Sequence, residues 1–420
     1  MKTLFKHSAL SQTRLAAFEE RLVRYTDGLV EGFDATLSYG RPESALLLPG
    51  DRAYQAELDR AVSRLTPVDH VVLIGIGGSS LGALAVYHAL RSETTPRFTV
   101  IDELDREALL RLETLLAECK NPSKLAVIVV SKSGTTTETM LNAVKAIAAG
   151  ERRFGDAFHH RLVFISDKGT KFLDAGRRKG ALCLTIPSAV GGRFSVLSAA
   201  GIVPLSLLGF DVRSLRRGAR DALSRVPLAR TQKAASILAL HALEGYRAVN
   251  FFTFNRRFAH LGYWYRQLLA ESIGKRMTVR GATFSHQLLP IVSTGADLHS
   301  TAQLFLSGYA GMYTHFVYYR DVRAYRALRS HWLLSHVPFL KGKSVGEVSE
   351  AIVKGVLRSY SKEHLPYRAT ELEGATAYEV GLLMNSLMAE VMCLAHLLSV
   401  DAFDQPNVES YKAATRKFLA

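Results

Sequence analysis

Cysteine is scarce in this chain. The three cysteines, Cys119, Cys183 and Cys393, are far apart in apolar stretches, and their spacing matches neither a metal site nor a disulfide framework. Such usage is typical of a reducing compartment. The N-terminus also lacks an apolar segment of signal-peptide length. We therefore predict a cytoplasmic protein without structural disulfides.

A hydrophobic run long enough to span a membrane is also missing. The nearest approach is residues 194–210, which are 17 uncharged residues interrupted by Pro204. A helix needs about 20 apolar residues to cross a bilayer. The run therefore predicts a buried helix of a soluble protein, with no membrane as a partner.

The charge is strongly of one sign. There are 53 Lys and Arg residues against 38 Asp and Glu, which gives a net charge of +15. The bases are spread along the chain, and no stretch alternates aromatic residues with Lys or Arg as a nucleic-acid groove does. The charge predicts attraction of small anions. It does not favour nucleic acid as a partner, although composition alone leaves that alternative open.

With 420 residues, the chain is long enough for two domains of ordinary size. Between residues 70 and 186, five strand patterns alternate with helical patterns, which predicts an α/β fold with a doubly wound, mostly parallel sheet. Helical patterns then dominate to about residue 246, and a second, less regular alternation follows. We predict a moderately helical N-terminal segment over residues 1–50, a first domain over 51–210, a second domain over 211–420 and a buried helix near 378–398.

The richest polar turn follows an apolar strand at residues 127–130. Six of the next nine residues, 131–139, carry hydroxyl groups, and a helical pattern comes after them. Free N–H groups at a helix N-terminus, the helix dipole and hydroxyl groups together suit a phosphate dianion. No Gly-Lys-Ser/Thr sequence closes the turn, so it is not a Walker-type nucleotide loop. We predict a phosphate site; the alternative is an ordinary helix cap, because Ser and Thr favour that position.

A second turn, GIGGSSLG, occupies residues 75–82 at the end of the first strand. With Asp102 at the end of the next strand it resembles a dinucleotide-binding fingerprint, but Ser80 stands where the third glycine belongs. The glycines predict a close approach of the backbone to a ligand, and Ser79 offers a hydroxyl group. A nicotinamide-dependent dehydrogenase is the alternative.

Two further motifs carry charges that suit catalysis. Arg193 follows two glycines and precedes an apolar helix, where its charge is costly without an anionic partner; a structural salt bridge is the alternative. Gln267 and Glu271 are four residues apart on one helical face. The opposite face carries Trp264, Leu268 and Leu269. A partly desolvated carboxylate at Glu271 is a candidate base, and an exposed surface glutamate is the alternative.

The last two motifs contain a histidine and a lysine. We predict that Asp297 is a helix N-cap, which places His299 in the first turn, where the helix dipole favours a neutral imidazole. Near the C-terminus, Pro406 occupies the favoured first position of a helix. Lys412 lies one turn beyond Val408, in a place from which it can reach a site.

Together these motifs resemble those of the glucose-6-phosphate isomerase (phosphoglucose isomerase) family, in its short microbial form. The resemblance runs from about residue 71 to residue 412 and covers five motifs in the family's order. Residues 188–201 fit one family signature at every position. Residues 395–412 fit the other except at Asn407, where the family has glycine; Asn is the residue that next best tolerates left-handed backbone. Ile273 replaces a residue that is usually polar.

The resemblance implies two sugar-isomerase (SIS-type) domains, a homodimer, no metal or organic cofactor, and a sugar phosphate as substrate. It implies the interconversion of glucose 6-phosphate and fructose 6-phosphate, in glycolysis and gluconeogenesis, through a cis-enediolate. Glu271 would move a proton between C2 and C1, and Arg193 would stabilise the oxyanion. Lys412 and His299 of the partner subunit would open the sugar ring.

The resemblance also implies a set of substrate-binding residues. Gln267 and Gln405 would position hydroxyl groups, and the remaining ones would lie around the phosphate. These are Gly78, Ser79, Ser131, Lys132, Ser133 and Thr136.

A non-catalytic phosphosugar-sensing module of the same fold is a rival from another class. It would keep the Ser/Thr turns but would not need the base. The presence of Glu271, Arg193, His299 and Lys412 argues against it. Use of mannose 6-phosphate as a further substrate is left open by the sequence.

Overall fold

The computed structural model of the protein describes residues 1–6, 10–30, 39–307, 309, 311–320 and 329–419. Within these residues the strands form two five-stranded sheets. The strands are Lys2–Lys6 (β1), His70–Ile74 (β2), Arg97–Ile101 (β3), Leu125–Val130 (β4), Leu162–Asp167 (β5), Leu182–Ile186 (β6), Ala248–Thr253 (β7), Leu289–Thr294 (β8), Met312–Tyr319 (β9) and Tyr367–Leu372 (β10).

Helices connect the strands and cover the sheets. They are Gln12–Val30 (α1), Arg52–Ser63 (α2), Leu81–Leu90 (α3), Arg106–Glu118 (α4), Thr137–Phe154 (α5), Lys171–Arg178 (α6), Ala199–Leu207 (α7), Val212–Asp221 (α8), Arg225–Leu243 (α9), Ala259–Ile273 (α10), Ala302–Ser307 (α11), Val345–Lys362 (α12), Ala377–Leu397 (α13) and Glu409–Leu419 (α14).

The first sheet is entirely parallel and has the strand order β3-β2-β4-β5-β6. In its register His70 of β2 lies opposite Arg97 on one side and Leu125 on the other. All six residues of β4 are buried, because this central strand is covered on both faces. The doubly wound parallel α/β architecture predicted from the alternation over residues 70–186 is confirmed.

The second sheet has the order β1-β10-β9-β7-β8. It is parallel except at one edge, where β1 runs antiparallel to β10 and Lys2 lies opposite Glu371. The pattern of residues 1–50 predicts a moderately helical segment and no strand. β1 is not predicted because its pairing partner is more than 360 residues away and nothing local in five residues indicates it.

The largest core lies between the two sheets, and α13 is its central helix. It packs against α1, α8, α9 and α10. In the described part of the chain α13 is the one helix long and apolar enough to cross a bilayer, and 94% of that stretch is buried inside the protein. The buried helix predicted near residues 378–398 is therefore confirmed. Residues 194–210, also predicted to be buried, form most of a 3₁₀ helix (Gly192–Leu197) followed by α7.

Helices also cover the outer face of each sheet. α4, α5 and α6 pack on the first sheet, and α11 and α12 pack on the second. The resulting layers place the carboxyl ends of β2, β4 and β5 side by side, next to the N-termini of α3 and α5. This edge of a parallel sheet is where ligands bind in open α/β folds.

Candidate active site

The predicted phosphate turn lies at the carboxyl end of β4. Gly134 has a left-handed conformation (φ +68°), and a Cβ there would lie 2.6 Å from the Cβ of Phe172, so the position requires glycine. The carbonyl of Lys132 accepts hydrogen bonds from the backbone N–H of Asp167 (3.0 Å) and the hydroxyl of Ser166 (2.9 Å). These two bonds fix the turn against β5.

The hydroxyl groups of this turn are not equivalent. Ser133 is exposed, and its hydroxyl lies 2.9 Å from that of Thr135. Ser131 is buried, and its hydroxyl is bonded to that of Thr136 at 3.1 Å. Thr136 is the N-cap of α5, but its side chain makes no capping hydrogen bond. The first-turn N–H groups of α5 are therefore left without a capping side chain and can bind an anion.

The second turn forms a 3₁₀ helix, Gly77–Ser79, before α3. A Cβ on Gly78 would lie 2.2 Å from the carbonyl carbon of Gly192, so the close approach that requires this glycine is to protein backbone. The sequence predicted an approach to a ligand instead. The contact places the turn of Arg193 beside the turn that carries Ser79.

Arg193 is buried (3% exposed), and each nitrogen of its guanidinium donates a hydrogen bond. Nε donates to Ser272 Oγ (2.9 Å), and Nη1 donates to Glu271 Oε2 (3.2 Å) and to Gln405 Oε1 (3.3 Å). Nη2 donates to two backbone carbonyls of residues 402–404. Burial lowers the pKa of Arg193, and the neighbouring Glu271 carboxylate opposes that shift. The salt bridge considered as an alternative is therefore present, and its partner is the candidate base.

Glu271 and Gln267 share one face of α10, as their spacing predicts. Gln267 Nε2 donates to Glu271 Oε1 at 3.0 Å, so both carboxylate oxygens have a donor, one neutral and one cationic. The Glu271 side chain is nevertheless 30% exposed. The opposite face is buried, as predicted, at Trp264, Leu268 and Leu269. The carboxylate is thus held in place and still open to a ligand.

The C-terminal segment closes the other side. Pro406 lies in the first turn of the 3₁₀ helix Pro406–Val408, as predicted, and α14 follows. Gln405 precedes that helix, and Lys412 lies on α14. The Nζ atom of Lys412 is 2.8 Å from Glu409 Oε1. Both Gln405 and Lys412 line the cleft described below.

His299 lies elsewhere. It is the last residue of the 3₁₀ helix Gly295–His299, is exposed and does not line this cleft. The prediction that Asp297 is the N-cap is wrong. Thr294 is the N-cap, and Asp297 Oδ2 accepts its backbone N–H at 2.7 Å from the third helical position, in a capping box. Because the helix has only five residues, His299 is at its end.

A cleft of about 590 Å³ joins these parts. Of the twelve predicted site residues ten line it, all except the buried Ser131 and the exposed His299. The ten are Gly78, Ser79, Lys132, Ser133, Thr136, Arg193, Gln267, Glu271, Gln405 and Lys412. A cleft of this size is typical of small-molecule sites. In the described part of the chain, no group of three or more His, Cys, Asp or Glu side chains could hold a metal ion.

The cleft is also lined by polar residues that the sequence analysis missed. They are Thr135, Thr137, Glu138, Asp167, Glu409, Tyr411, Thr415 and Arg416. Helical spacing could have identified Arg416, four residues after Lys412. Asp167 ends β5, and its Oδ1 atom is buried without a hydrogen-bond partner among the described residues. Burial raises the pKa of Asp167, and the charge of Lys132 acts in the opposite direction.

Asp102 is not one of the residues that line the cleft. The dinucleotide interpretation of residues 75–82 therefore lacks its acidic residue at this site as well as its third glycine. Nothing in the geometry of the cleft favours a dehydrogenase.

Comparisons with known proteins agree with this geometry. A family model described as phosphoglucose isomerase matches residues 62–419. The chain is 32% identical over 413 residues to a glucose-6-phosphate isomerase of Thermus thermophilus, covering 97% of this chain and 98% of the relative. It is 30% identical over 371 residues to a glucose-6-phosphate isomerase of Carboxydothermus hydrogenoformans, covering 83% and 78%.

Two solved structures are similar over most of the chain. The crystal structure of a hypothetical protein from Thermus thermophilus has a TM-score of 0.88 at 29% identity and covers 100% of both chains. A glucose-6-phosphate isomerase from Chlamydia trachomatis has a TM-score of 0.74 at 21% identity, over 87% of this chain and 73% of that one. The second likeness shows a shared fold.

Proposed function

Because the chain belongs to the phosphoglucose isomerase family, we propose that the cleft is its active site and that the residues gathered there carry the family's reaction. The chain is an aldose–ketose isomerase that interconverts glucose 6-phosphate and fructose 6-phosphate, a step of glycolysis and gluconeogenesis. One observation carries the assignment of the site. The buried cation of Arg193 meets the Glu271 carboxylate at 3.2 Å, in the same cleft as two turns rich in hydroxyl groups.

The phosphate binds at these turns. Ser133 and Thr136 donate their hydroxyl groups, and Ser79 donates from the neighbouring turn. The backbone of Lys132 and the N-terminus of α5 provide N–H groups and positive potential. Ser131 is buried and acts through its hydrogen bond to Thr136. The absence of a capping side chain on α5 supports this assignment, because the phosphate then takes the place of the cap.

Glu271 transfers the proton. Its carboxylate removes the proton from C2 of the open-chain aldose. The electron pair of that C–H bond forms the C1–C2 double bond of a cis-enediolate, and the π pair of the C1 carbonyl moves onto its oxygen. The same carboxylate returns the proton to C1, while a proton moves between the two enediolate oxygens. Gln267 and Gln405 position the substrate hydroxyl groups. The step as written moves protons within one molecule and requires no cofactor.

Arg193 stabilises the oxyanion that forms in this step. Its guanidinium is already held by hydrogen bonds from all three nitrogens, so it needs no rearrangement when the charge develops. A preorganised donor of this kind is worth more in a partly dry cleft than in water.

Ring opening precedes the proton transfer and needs an acid and a base near the ring oxygen and the C1 hydroxyl. Lys412 and His299 of the partner subunit serve in these roles in a homodimer. The position of Lys412 in the cleft supports the first assignment. The exposure of His299 outside the cleft of its own chain supports the second, because a residue that serves a neighbouring subunit must be on the surface. The enzyme works in the cytoplasm, which its three unpaired cysteines support.

Substrate deuterated at C2 tests the assignment of the base. With the purified enzyme and no added metal or cofactor, we expect part of the label at C1 and part in the solvent, because one carboxylate carries the proton while the enediolate exists. Glu271→Gln should lower turnover by about 10²–10⁴-fold and change KM much less. The control is Glu118→Gln, at an exposed glutamate on α4.

Two results would remove Glu271 from this role. Complete retention of the label, with none in the solvent, would favour a hydride shift. Wild-type turnover by Glu271→Gln would show that another group is the base. Binding of fructose 6-phosphate without any turnover would instead favour the sensing module.

A further inference from the structure

Lys275 holds a buried ammonium group two residues beyond the end of α10. Its side chain is 7% exposed. Nζ donates to the Oδ1 atom of Asp404 at 2.6 Å and also to the backbone carbonyl of Asp404. Both acceptors belong to the segment of residues 402–405, which is more than 120 residues away in the sequence.

Arg193 binds the same segment. Its Nη2 donates to the carbonyl of Ala402 and, at 3.2 Å, to the carbonyl of Asp404, the atom that Lys275 also binds. Its Nη1 donates to the side chain of Gln405 at 3.3 Å. Two buried cations therefore converge on four residues that end in a residue of the cleft.

This segment also determines where α14 begins. It continues through Pro406 into α14, which carries Lys412, and none of the α14 residues whose burial is described is buried. A helix without a buried face depends on the residues before it for its position. The contacts of residues 402–405 therefore bear on Lys412 as well as on Gln405.

The stability of the fold alone does not explain why a lysine occupies position 275. Burying an ammonium group is costly, and its partner carboxylate is 51% exposed, so much of the attraction is screened by water. An apolar side chain of similar length would fill the same space without that cost. What such a side chain would lack is the link to Asp404.

We propose that Lys275 is a positioning residue for the isomerase reaction. By holding Asp404 it fixes residues 402–405 against Arg193, and so sets the positions of Arg193, Gln405 and Lys412 in the cleft. This inference rests on the proposed function, because it assumes that those three residues act on the substrate.

The test compares Lys275→Met with Lys354→Met. Methionine keeps the long apolar stem and removes the ammonium group. Lys354 forms an exposed ion pair with Glu350 at 2.8 Å on α12 and serves as the matched control. Because displacements of about 1 Å in a catalytic group cost up to about 10²-fold, Lys275→Met should lower kcat by about 10–100-fold. Lys354→Met should leave kcat unchanged.

Binding of inorganic phosphate separates positioning from a general loss of structure. The phosphate turns follow β2 and β4, and in the described part of the chain neither Lys275 nor Asp404 is hydrogen-bonded to them, so the inhibition constant of phosphate should stay within about twofold in Lys275→Met. Lys275→Arg restores a cation and should regain part of the lost kcat. The double variant Lys275→Met/Asp404→Ala should lose less than the product of the two single losses, because Lys275→Met already removes the ion pair that Asp404→Ala breaks.

Three outcomes would overturn the inference. They are a kcat of Lys275→Met equal to wild type, a parallel loss of kcat and phosphate binding, and fully multiplicative losses in the double variant. The Glu271→Gln variant distinguishes a wrong positioning role for Lys275 from a wrong assignment of the active site. If Glu271→Gln loses turnover and Lys275→Met keeps the wild-type kcat, only the positioning role is wrong; if Glu271→Gln is fully active, the proposed active site is wrong.

Discussion

Arg193 Nη1 lies 3.2 Å from Glu271 Oε2, so the proposed oxyanion donor and the proposed base form one ion pair. The guanidinium is also bonded to Ser272, Gln405 and the carbonyls of residues 402–404. These bonds use the planar fork of an arginine, which places several donors in fixed directions. A lysine at this position keeps the charge but loses that geometry.

Arg193→Lys should therefore lower kcat by about 10²–10³-fold, the usual effect of removing an oxyanion donor. The matched control is Arg216→Lys. Arg216 is also buried, and its Nη2 donates to the carbonyls of Leu48, Pro49 and Asp51, none of which lines the cleft. We expect Arg216→Lys to lower the thermal midpoint and leave kcat unchanged. Equal kcat values for the two variants would contradict the assignment of Arg193.

The hydroxyl groups of the phosphate turn should differ in their effects. Each hydrogen bond to a charged group contributes about 1.5–3 kcal/mol, so Ser133→Ala and Thr136→Ala should each raise KM about 10- to 100-fold. Ser131→Ala removes a buried bond to the Thr136 hydroxyl. It should raise KM less and lower the free energy of unfolding by about 1 kcal/mol. Steady-state kinetics with fructose 6-phosphate measure KM, and thermal unfolding measures the loss of stability. An unchanged KM in the Ser133→Ala/Thr136→Ala double variant would show that the phosphate does not bind at this turn.

The first sheet could be predicted from sequence because each of its strands is a local apolar run followed by a helical pattern. β4 is the clearest case, with six buried residues and the hydroxyl-rich turn at its end. The edge strand β1 could not be predicted. It is short, begins and ends with lysine, and gains its stability from pairing with β10 at the other end of the chain. Such non-local pairing leaves no periodic signal in five residues.

The residues of the site also divide into those that local spacing predicts and those that it does not. Gln267 and Glu271 could be placed on one face because helical spacing is local. The bonds from Arg193 to residues 402–404 join positions more than 200 residues apart, and no spacing rule indicates them. Lys275 and Asp404 are 129 residues apart, and no spacing rule indicates their bond either. The helix cap at Thr294 was missed because Thr294 and Asp297 both favour caps, and only the fold decides which of them takes that position.

A stacked pair of histidines connects the two helices that lead to the cleft. The rings of His88 on α3 and His260 on α10 lie 3.6 Å apart, with Arg91 nearby. Burial, and then the charges of His260 and Arg91, lower the pKa of His88 to about 4; burial and Arg91 also lower the pKa of His260. These pKa values are lowered in the folded state. The stability that the neutral histidines contribute is therefore fully present above the pKa of about 6.5 that a histidine has in the unfolded chain, and it is lost as the pH falls toward 4.

We therefore expect the free energy of unfolding to decrease by about 1–2 kcal/mol between pH 7 and pH 4.5 on account of His88, after allowance for the partial exposure of the ring. His88→Phe keeps a ring against His260 and removes one titrating group, so it should reduce this decrease. His336→Gln, at an exposed histidine, is the control and should not. Denaturant unfolding at several pH values measures the difference. An identical pH dependence in wild type and His88→Phe would show that the pair contributes nothing to acid sensitivity.

The assignment of His299 to a neighbouring subunit makes a prediction that a single-chain role does not. His299→Ala should lose most activity on the cyclic sugar, whereas Glu271→Gln should lose proton transfer. If the enzyme is a homodimer and each site combines Glu271 of one subunit with His299 of the other, a hybrid of the two variants contains one site with both residues intact. The second site of the hybrid lacks both.

Mixing the two inactive variants under conditions that exchange subunits should therefore restore activity. Random exchange makes half of the dimers hybrids with one complete site each, so about a quarter of wild-type activity should return. Differently tagged subunits, isolated by two affinity steps, confirm that the active species is the hybrid. If His299 acts within its own chain, every site of the hybrid carries one defect and no activity returns. A monomer in solution would exclude the shared site directly, because the exposed His299 of this chain does not line the cleft that holds Glu271.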